Sequence, residues 1–147
     1  MSDSESRPYK ISEHSGDVKI EAWGRDCQEA LVNASLGLVN QIVTLESIEE
    51  AEERTIIVSG ENDTARYIAF LNEILFLVYT KHWLLKRVRL LRQCLKTECR
   101  EIEAVLVGEP LILTKHEIKY EIKAVTYHDF QIRKETASVT IEFVCDL

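Results

Sequence analysis

Tyr67 to Val78 is the stretch that most restricts how this chain can fold. At helical spacing, Tyr67, Ile68, Leu71, Ile74, Leu75 and Val78 form a broad apolar stripe, which Phe70, Phe76 and Leu77 widen further. Asp63 or Thr64 stands where a helix cap is needed. A helix apolar over so much of its circumference belongs between two layers of structure or against a partner surface, and we expect the core position. Asn72 and Glu73 interrupt the stretch, and it is too short for a transmembrane span, so no membrane association is expected.

Other periodicities fill in the layers. Val18, Ile20 and Ala22 alternate with Lys19 and Glu21 until Trp23-Gly24 ends the run, which predicts a strand with one wet face. Asp26 and Glu29 have the spacing of an N-cap and its capping partner. Ala30, Leu31, Ala34, Leu38 and Ile42 then mark one face of a helix from about Asp26 to Ile42. An acidic run from Glu46 to Glu53, read as a solvated connection, leads to the β-branched strand Thr55-Ile56-Ile57-Val58, which Ser59-Gly60 terminates. Lys86 to Leu95 and Arg100 to Val107 read as a hairpin turning at Lys96-Thr97-Glu98-Cys99. Ile118, Tyr120, Ile122 and Ala124 alternate with charged residues as a further strand. Thr126 to Arg133 and Ala137 to Val144, turning at Lys134-Glu135-Thr136, complete the sheet. The expected class is α+β: a largely antiparallel or mixed sheet with two amphipathic helices packed on it. Residues 1–8 read as a flexible acidic segment and 9–147 as one domain.

A formal net charge of −7 argues against a broad electrostatic grip on nucleic acid. The opening Met1 to Pro8 lacks the basic start and apolar stretch of a signal peptide, so no export is expected. Cys27, Cys94, Cys99 and Cys145 include no C-x-x-C pair. They are read as reduced cytoplasmic thiols rather than a zinc framework, with a Cys94–Cys99 disulfide the lesser alternative. No phosphate-binding glycine loop, nucleophile elbow or H-E-x-x-H helix is present, so no catalytic residue is assigned and catalysis by this chain alone is not expected.

Three polar places remain. His14-Ser15-Gly16-Asp17 precedes the first predicted strand, where a plain turn would also account for it. Tyr127 and His128, in Lys123-Ala124-Val125-Thr126-Tyr127-His128-Asp129, read as a buried hydroxyl and an edge histidine rather than as catalytic groups. The third is the end, Asp146-Leu147. Val139, Ile141 and Phe143 alternate with Thr140, Glu142 and Val144, which should tie this end into a sheet and leave the Asp146 carboxylate beside the terminal one. Anions so close repel unless a cation or a cluster of donors holds them. This is a candidate cation site, set against the plainer reading of an exposed acidic end.

Together these segments resemble the archease family, whose pattern is an early His-Thr-Ala-Asp, a strand ending Trp-Gly, a late Lys-Ala-(Ile/Val)-Thr-Tyr-His and a terminal Asp-Leu or Asp-Ile. The chain supplies His14 to Asp17, Ala22-Trp23-Gly24, Lys123 to His128 and Phe143 to Leu147 in that order. Leu71-Asn72-Glu73-Ile74-Leu75 and Lys115-His116 also sit where the family has counterparts. The resemblance covers about Tyr9 to Leu147.

It implies a non-enzymatic activator of an RtcB-type RNA ligase, one that joins tRNA exon halves after guanylylating its own histidine with GTP. Archeases promote that guanylylation and multiple turnover, so tRNA would be touched only indirectly, through the ligase. The resemblance places a metal site on Asp17, Asp146 and Leu147. An all-oxygen donor set suits calcium first and magnesium or manganese next. Cys145 should point to the opposite face and not be a ligand. His14, Lys123, Tyr127 and His128 match the motifs without being metal ligands and are expected to dock the partner. Ser15-Gly16 departs from Thr-Ala, and Gly16 should loosen the loop that positions Asp17. Two rival readings are a general chaperone or RNA-modification cofactor that uses the apolar second helix, and a metal-dependent phosphohydrolase.

Overall fold

The capping signals around Asp26 work as the spacing predicts. In the computed structural model, which describes residues 7–14, 16–93 and 100–147, Asp26 accepts the Glu29 N–H at 2.8 Å and starts helix α1, Cys27–Ile42. Glu29 reaches back to the Arg25 N–H at 3.1 Å, one residue earlier than a standard capping box. Helix α2, Asp63–Tyr79, is capped by Asn62, which accepts the Ala65 N–H at 2.8 Å, rather than by Asp63 or Thr64. Asp63 instead binds Arg66 at 2.6 Å, inside the first turn.

The strands are β1 (Tyr9–His14), β2 (Asp17–Gly24), β3 (Glu52–Ser59), β4 (Trp83–Gln93), β5 (Glu101–Pro110), β6 (Ala124–Val125), β7 (Gln131–Lys134) and β8 (Val139–Asp146). They form two antiparallel sheets instead of one. The first runs β1-β2-β8-β6, with β7 also on β8; the second runs β3-β5-β4. Helix α1 packs on the first sheet and meets β4, while α2 packs on the second and meets β6. Both helices thus join the two sheets, which is why α2 is apolar so far round. Tyr67, Ile68, Phe70, Leu71, Ile74, Leu75, Leu77 and Val78 are buried on it, and only Phe76 of the stripe is exposed. Each such side chain stabilises the fold by about 1.5–3 kcal/mol relative to exposure. The α+β class holds, and no helix of the described residues is long and apolar enough to cross a membrane.

Several boundaries differ from the periodicity. Glu52 and Glu53, at the end of the acidic run, already belong to β3, where residues of β4 hold them: the Trp83 indole N–H donates to Glu52 at 2.7 Å and Arg89 pairs with Glu53 at 2.7 Å. The alternating stretch 118–123 lies between elements without pairing as a strand. Its Lys119 N–H is taken by the Ile42 carbonyl at 2.7 Å and its Ile122 N–H by the Tyr79 hydroxyl at 2.8 Å, so only Ala124 and Val125 are left for a ladder. Likewise Thr126 to Arg133 divides into a turn, closed by the Phe130 N–H on the Tyr127 carbonyl at 3.2 Å, and the short β7. The last strand runs to Asp146 rather than ending at Val144. The hairpin of β4 and β5 forms, whereas its turn at Lys96 to Cys99, the Cys94–Cys99 alternative and the acidic Met1 to Ser6 lie outside the described residues.

Candidate metal centre

The strand at the end of the sequence inserts between β2 and β6. Its register opposes Asp146 to Asp17 on one side and to Ala124 on the other, while Asp17 is also opposite His14. One end of the first sheet therefore carries the row His14, Asp17, Asp146, Ala124, drawn from four segments. The Leu147 N–H donates to the Gly16 carbonyl at 3.4 Å, which makes 16/147 the hydrogen-bonded pair and puts Asp17 and Asp146 at the non-hydrogen-bonded position. There opposed Cα atoms approach to about 4.5 Å and the side chains share a face. Two carboxylates are thus forced side by side, an arrangement that destabilises a sheet when nothing lies between them.

Asp17 is half-buried, and its Oδ1 is buried without a hydrogen-bond partner among the described residues. Asp146 is exposed, and its carbonyl accepts the Lys123 N–H at 2.8 Å, which fixes the strand end. A buried lone pair without a donor, a facing like charge and an oxygen-only set match what a hard divalent cation needs. Among the described residues no three His, Cys, Asp or Glu side chains converge, so a cation here would draw on Asp17, Asp146, main-chain oxygens at Leu147 and water. Cys145 faces the core with no exposure, opposite Val18. Burial first, then the charges of Asp146 and Asp17, push its thiol up to about 12. Alternation along β8 puts it on the face opposite the carboxylates, so it is not placed to be a ligand.

Gly16 has a different part from the loosening expected of it. Its φ of +84° is the left-handed conformation that the two-residue connection from β1 to β2 requires, and glycine adopts it without strain. The glycine therefore helps to set Asp17 in register.

The remaining motif residues divide. Lys123 is exposed and adjoins the carboxylate pair through its backbone. Tyr127 and His128 sit on the separate turn, in which Asp129 has φ 56°. Tyr127 is 66% exposed and overhangs α2 beside Asn62, Ala65, Ala69 and Asn72. His128 is paired with Asp129 at 3.1 Å, both exposed. The His14 side chain and Ser15 lie outside the described residues.

Two structural polar residues were missed by periodicity, Asn72 beside this end and Glu109 in the second sheet. Asn72 receives the Val125 N–H at 2.9 Å and donates to the Val125 carbonyl at 3.1 Å, so a helix side chain replaces the strand that β6 lacks on its outer side. An amide set within the apolar run of this helix was the available signal, because even a half-buried polar group needs partners. Glu109 is buried and binds the Glu49 N–H at 2.8 Å, Lys115 at 2.9 Å and His116 Nε2 at 2.9 Å. His116 Nδ1 accepts the Ile112 N–H at 3.0 Å, which leaves Nε2 as the donor. Burial by itself would raise the Glu109 carboxyl, but Lys115, the Glu49 N–H and His116 bring it down to about 2.

Residues 9–147 match the family model described as Archease protein family (MTH1598/TM1083). An archease-like protein of Dictyostelium discoideum is 31% identical over 142 residues, covering 95% of this chain and 93% of that one. An archease of Thermococcus gammatolerans is 33% identical over 128 residues, covering 87% and 89%. Protein 1598 of Methanobacterium thermoautotrophicum, whose solution structure is known, shares the fold with a TM-score of 0.82 at 24% identity, covering 96% and 99%.

Proposed function

This chain belongs to the archease family, and from that premise we propose that it is a non-enzymatic activator of an RtcB-type RNA ligase in tRNA splicing or RNA repair, working in the cytoplasm. It promotes GTP-dependent guanylylation of the ligase histidine and multiple turnover. The observation that carries this reading is the opposition of Asp17 to Asp146 with a buried Oδ1 left over.

In this reading Asp17, Asp146 and the oxygens of Leu147 hold a divalent cation, calcium first and magnesium or manganese in its place. When bound, that cation supplies concentrated positive charge for phosphate oxygens at the ligase's nucleotide site. The chain's own residues provide position. Gly16 turns β1 into β2 so that Asp17 meets Asp146, and the Lys123 backbone holds the Asp146 carbonyl. The Lys123 ammonium, exposed next to the pair, offers a contact to an acidic or phosphate group of the partner. Tyr127 and His128 add an exposed aromatic and a polar tip for docking. The net charge of −7 gives no broad electrostatic grip on RNA, so in this reading the body of the tRNA is held by the ligase.

The test is single-turnover guanylylation of the cognate ligase with this protein and with its Asp17→Ala and Asp146→Ala variants, each checked for folding. Stimulation by the parent and its loss in both folded variants is the expected result. Full stimulation by either folded variant would end the carboxylate mechanism, and no stimulation by the parent would end the activator reading.

A further inference from the structure

At the far end of β2 from the carboxylate pair, the open edge of the first sheet carries a second site of opposite charge. The Trp23 N–H donates to the Pro8 carbonyl at 3.0 Å, which makes 8/23 a hydrogen-bonded pair. By alternation, Tyr9 and Ile11 turn their N–H and C=O groups away from β2, and β1 is the edge strand. Among the described residues no backbone bond from elsewhere reaches these groups. A pocket of 390 Å³ lies along this edge, lined by Arg7, Tyr9, Lys10, Ile11 and Trp23.

The lining is unusual for this molecule. Trp23 is 39% exposed, whereas Trp83 is 1% exposed and donates to Glu52. Most arginines of the second sheet are committed to carboxylates, yet among the described residues neither Arg7 nor Lys10 has an ion pair. Burial first, and then the Arg7 charge, depress the Lys119 ammonium, so a third cation lies within that field. Among the described residues, an otherwise acidic protein thus gathers cations without ion pairs and backbone donors without backbone partners around an aromatic wall; Glu21, opposite Lys10, is itself engaged by Arg133 at 3.3 Å. β1 itself is held firmly, because Tyr9 packs on Gly37 and its hydroxyl accepts from Asn40 at 3.1 Å.

We propose that this pocket binds a nucleoside phosphate, with the base against the Trp23 indole and the phosphate held by Arg7 and Lys10. Base stacking on an aromatic beside cations that hold the phosphate is the chemistry by which unpaired nucleotides are bound. An added peptide strand fits less well. Tyr120 donates to Glu13 and occupies the edge there, so the stretch from Tyr9 to Ile11 that stays open spans only about 7 Å. The ligand is either a free mononucleotide or the terminal nucleotide of a single strand. Asp17 and Trp23 are separated by six steps along β2, about 20 Å, so this site is independent of the carboxylate pair.

The experiment titrates the full chain, in chelator, with a ribonucleoside monophosphate, a short single-stranded oligoribonucleotide, inorganic phosphate and an acidic peptide, following tryptophan emission. Saturable quenching by the mononucleotide identifies a free nucleotide; saturation by the oligonucleotide alone identifies a strand end. Arg7→Ala with Lys10→Ala should weaken binding about tenfold or more. Trp23→Ala should weaken it more than Trp23→Phe, and Asp17→Asn should leave it unchanged. Lys10→Gln serves if the double variant does not fold. The proposal is overturned by no saturation with either nucleotide form, by affinity unaffected in the folded cation variants, by phosphate binding as tightly as the nucleotide, or by saturation with the acidic peptide alone.

Discussion

Replacing Asp17 by Asn should make the protein more stable without divalent cations and less stable with them. Two like charges about 5 Å apart repel by roughly 1–3 kcal/mol at the effective dielectric of a half-exposed site. Directly opposed like charges in sheets cost nearer 0.2–1 kcal/mol. With Asp17 half-buried and its Oδ1 unpaired, about 1 kcal/mol is the working figure. For a chain of this size that raises the melting temperature by about 2–4 °C in chelator. Calcium at a hundred times its dissociation constant stabilises a one-site protein by about 2.7 kcal/mol, roughly 5–11 °C on the parent and nothing on the variant. The order of the two melting temperatures therefore reverses between chelator and calcium, as thermal unfolding followed by circular dichroism would record. A variant less stable than the parent in chelator, or calcium raising both equally, would refute the opposed-carboxylate argument.

Asn72→Ala removes both hydrogen bonds to Val125 and should cost about 2–3 kcal/mol in denaturant unfolding, with faster amide exchange at Val125; a loss below about 0.5 kcal/mol would show that β6 does not depend on it. Gly16→Ala should cost about 1 kcal/mol, because its φ of +84° is strained for any residue with a Cβ, and should weaken calcium stabilisation as Asp17 loses register. The space around Gly16 is open, so a loss beyond that range would contradict a purely conformational cause. Glu109 is held at about 2 against an ordinary value of 4.5, so its contribution is fully present above the unfolded value and is lost as pH falls through the folded one. Unfolding free energy should decline between about pH 4.5 and pH 2, and Glu109→Gln should flatten that slope; an unchanged slope would remove the cluster from the acid response.

Periodicity and capping chemistry determined both helices, the strands at β2 and β5, the strand that carries the end of the sequence, and hence the α+β class. Those signals are local. A hydrophobic period or a side-chain oxygen next to free N–H groups needs no knowledge of what lies across the fold. The motifs likewise singled out Asp17, Asp146 and Lys123 as candidates, and the structure brings them to one sheet end. Tertiary structure decided what each backbone group would meet. Residues 118–123 have the alternation of a strand, but Ile42 and Tyr79 intercept their N–H groups. Asn72 read as a break in an apolar run until Val125 stood beside it, and Glu109 carries no periodic signal that would announce Lys115 and His116 closing over it. The same holds for the opposition of Asp17 to Asp146, which no local pattern encodes. It exists because β8 inserts between β2 and β6, and a hydrogen-bonding group takes whichever partner the assembled fold brings within reach.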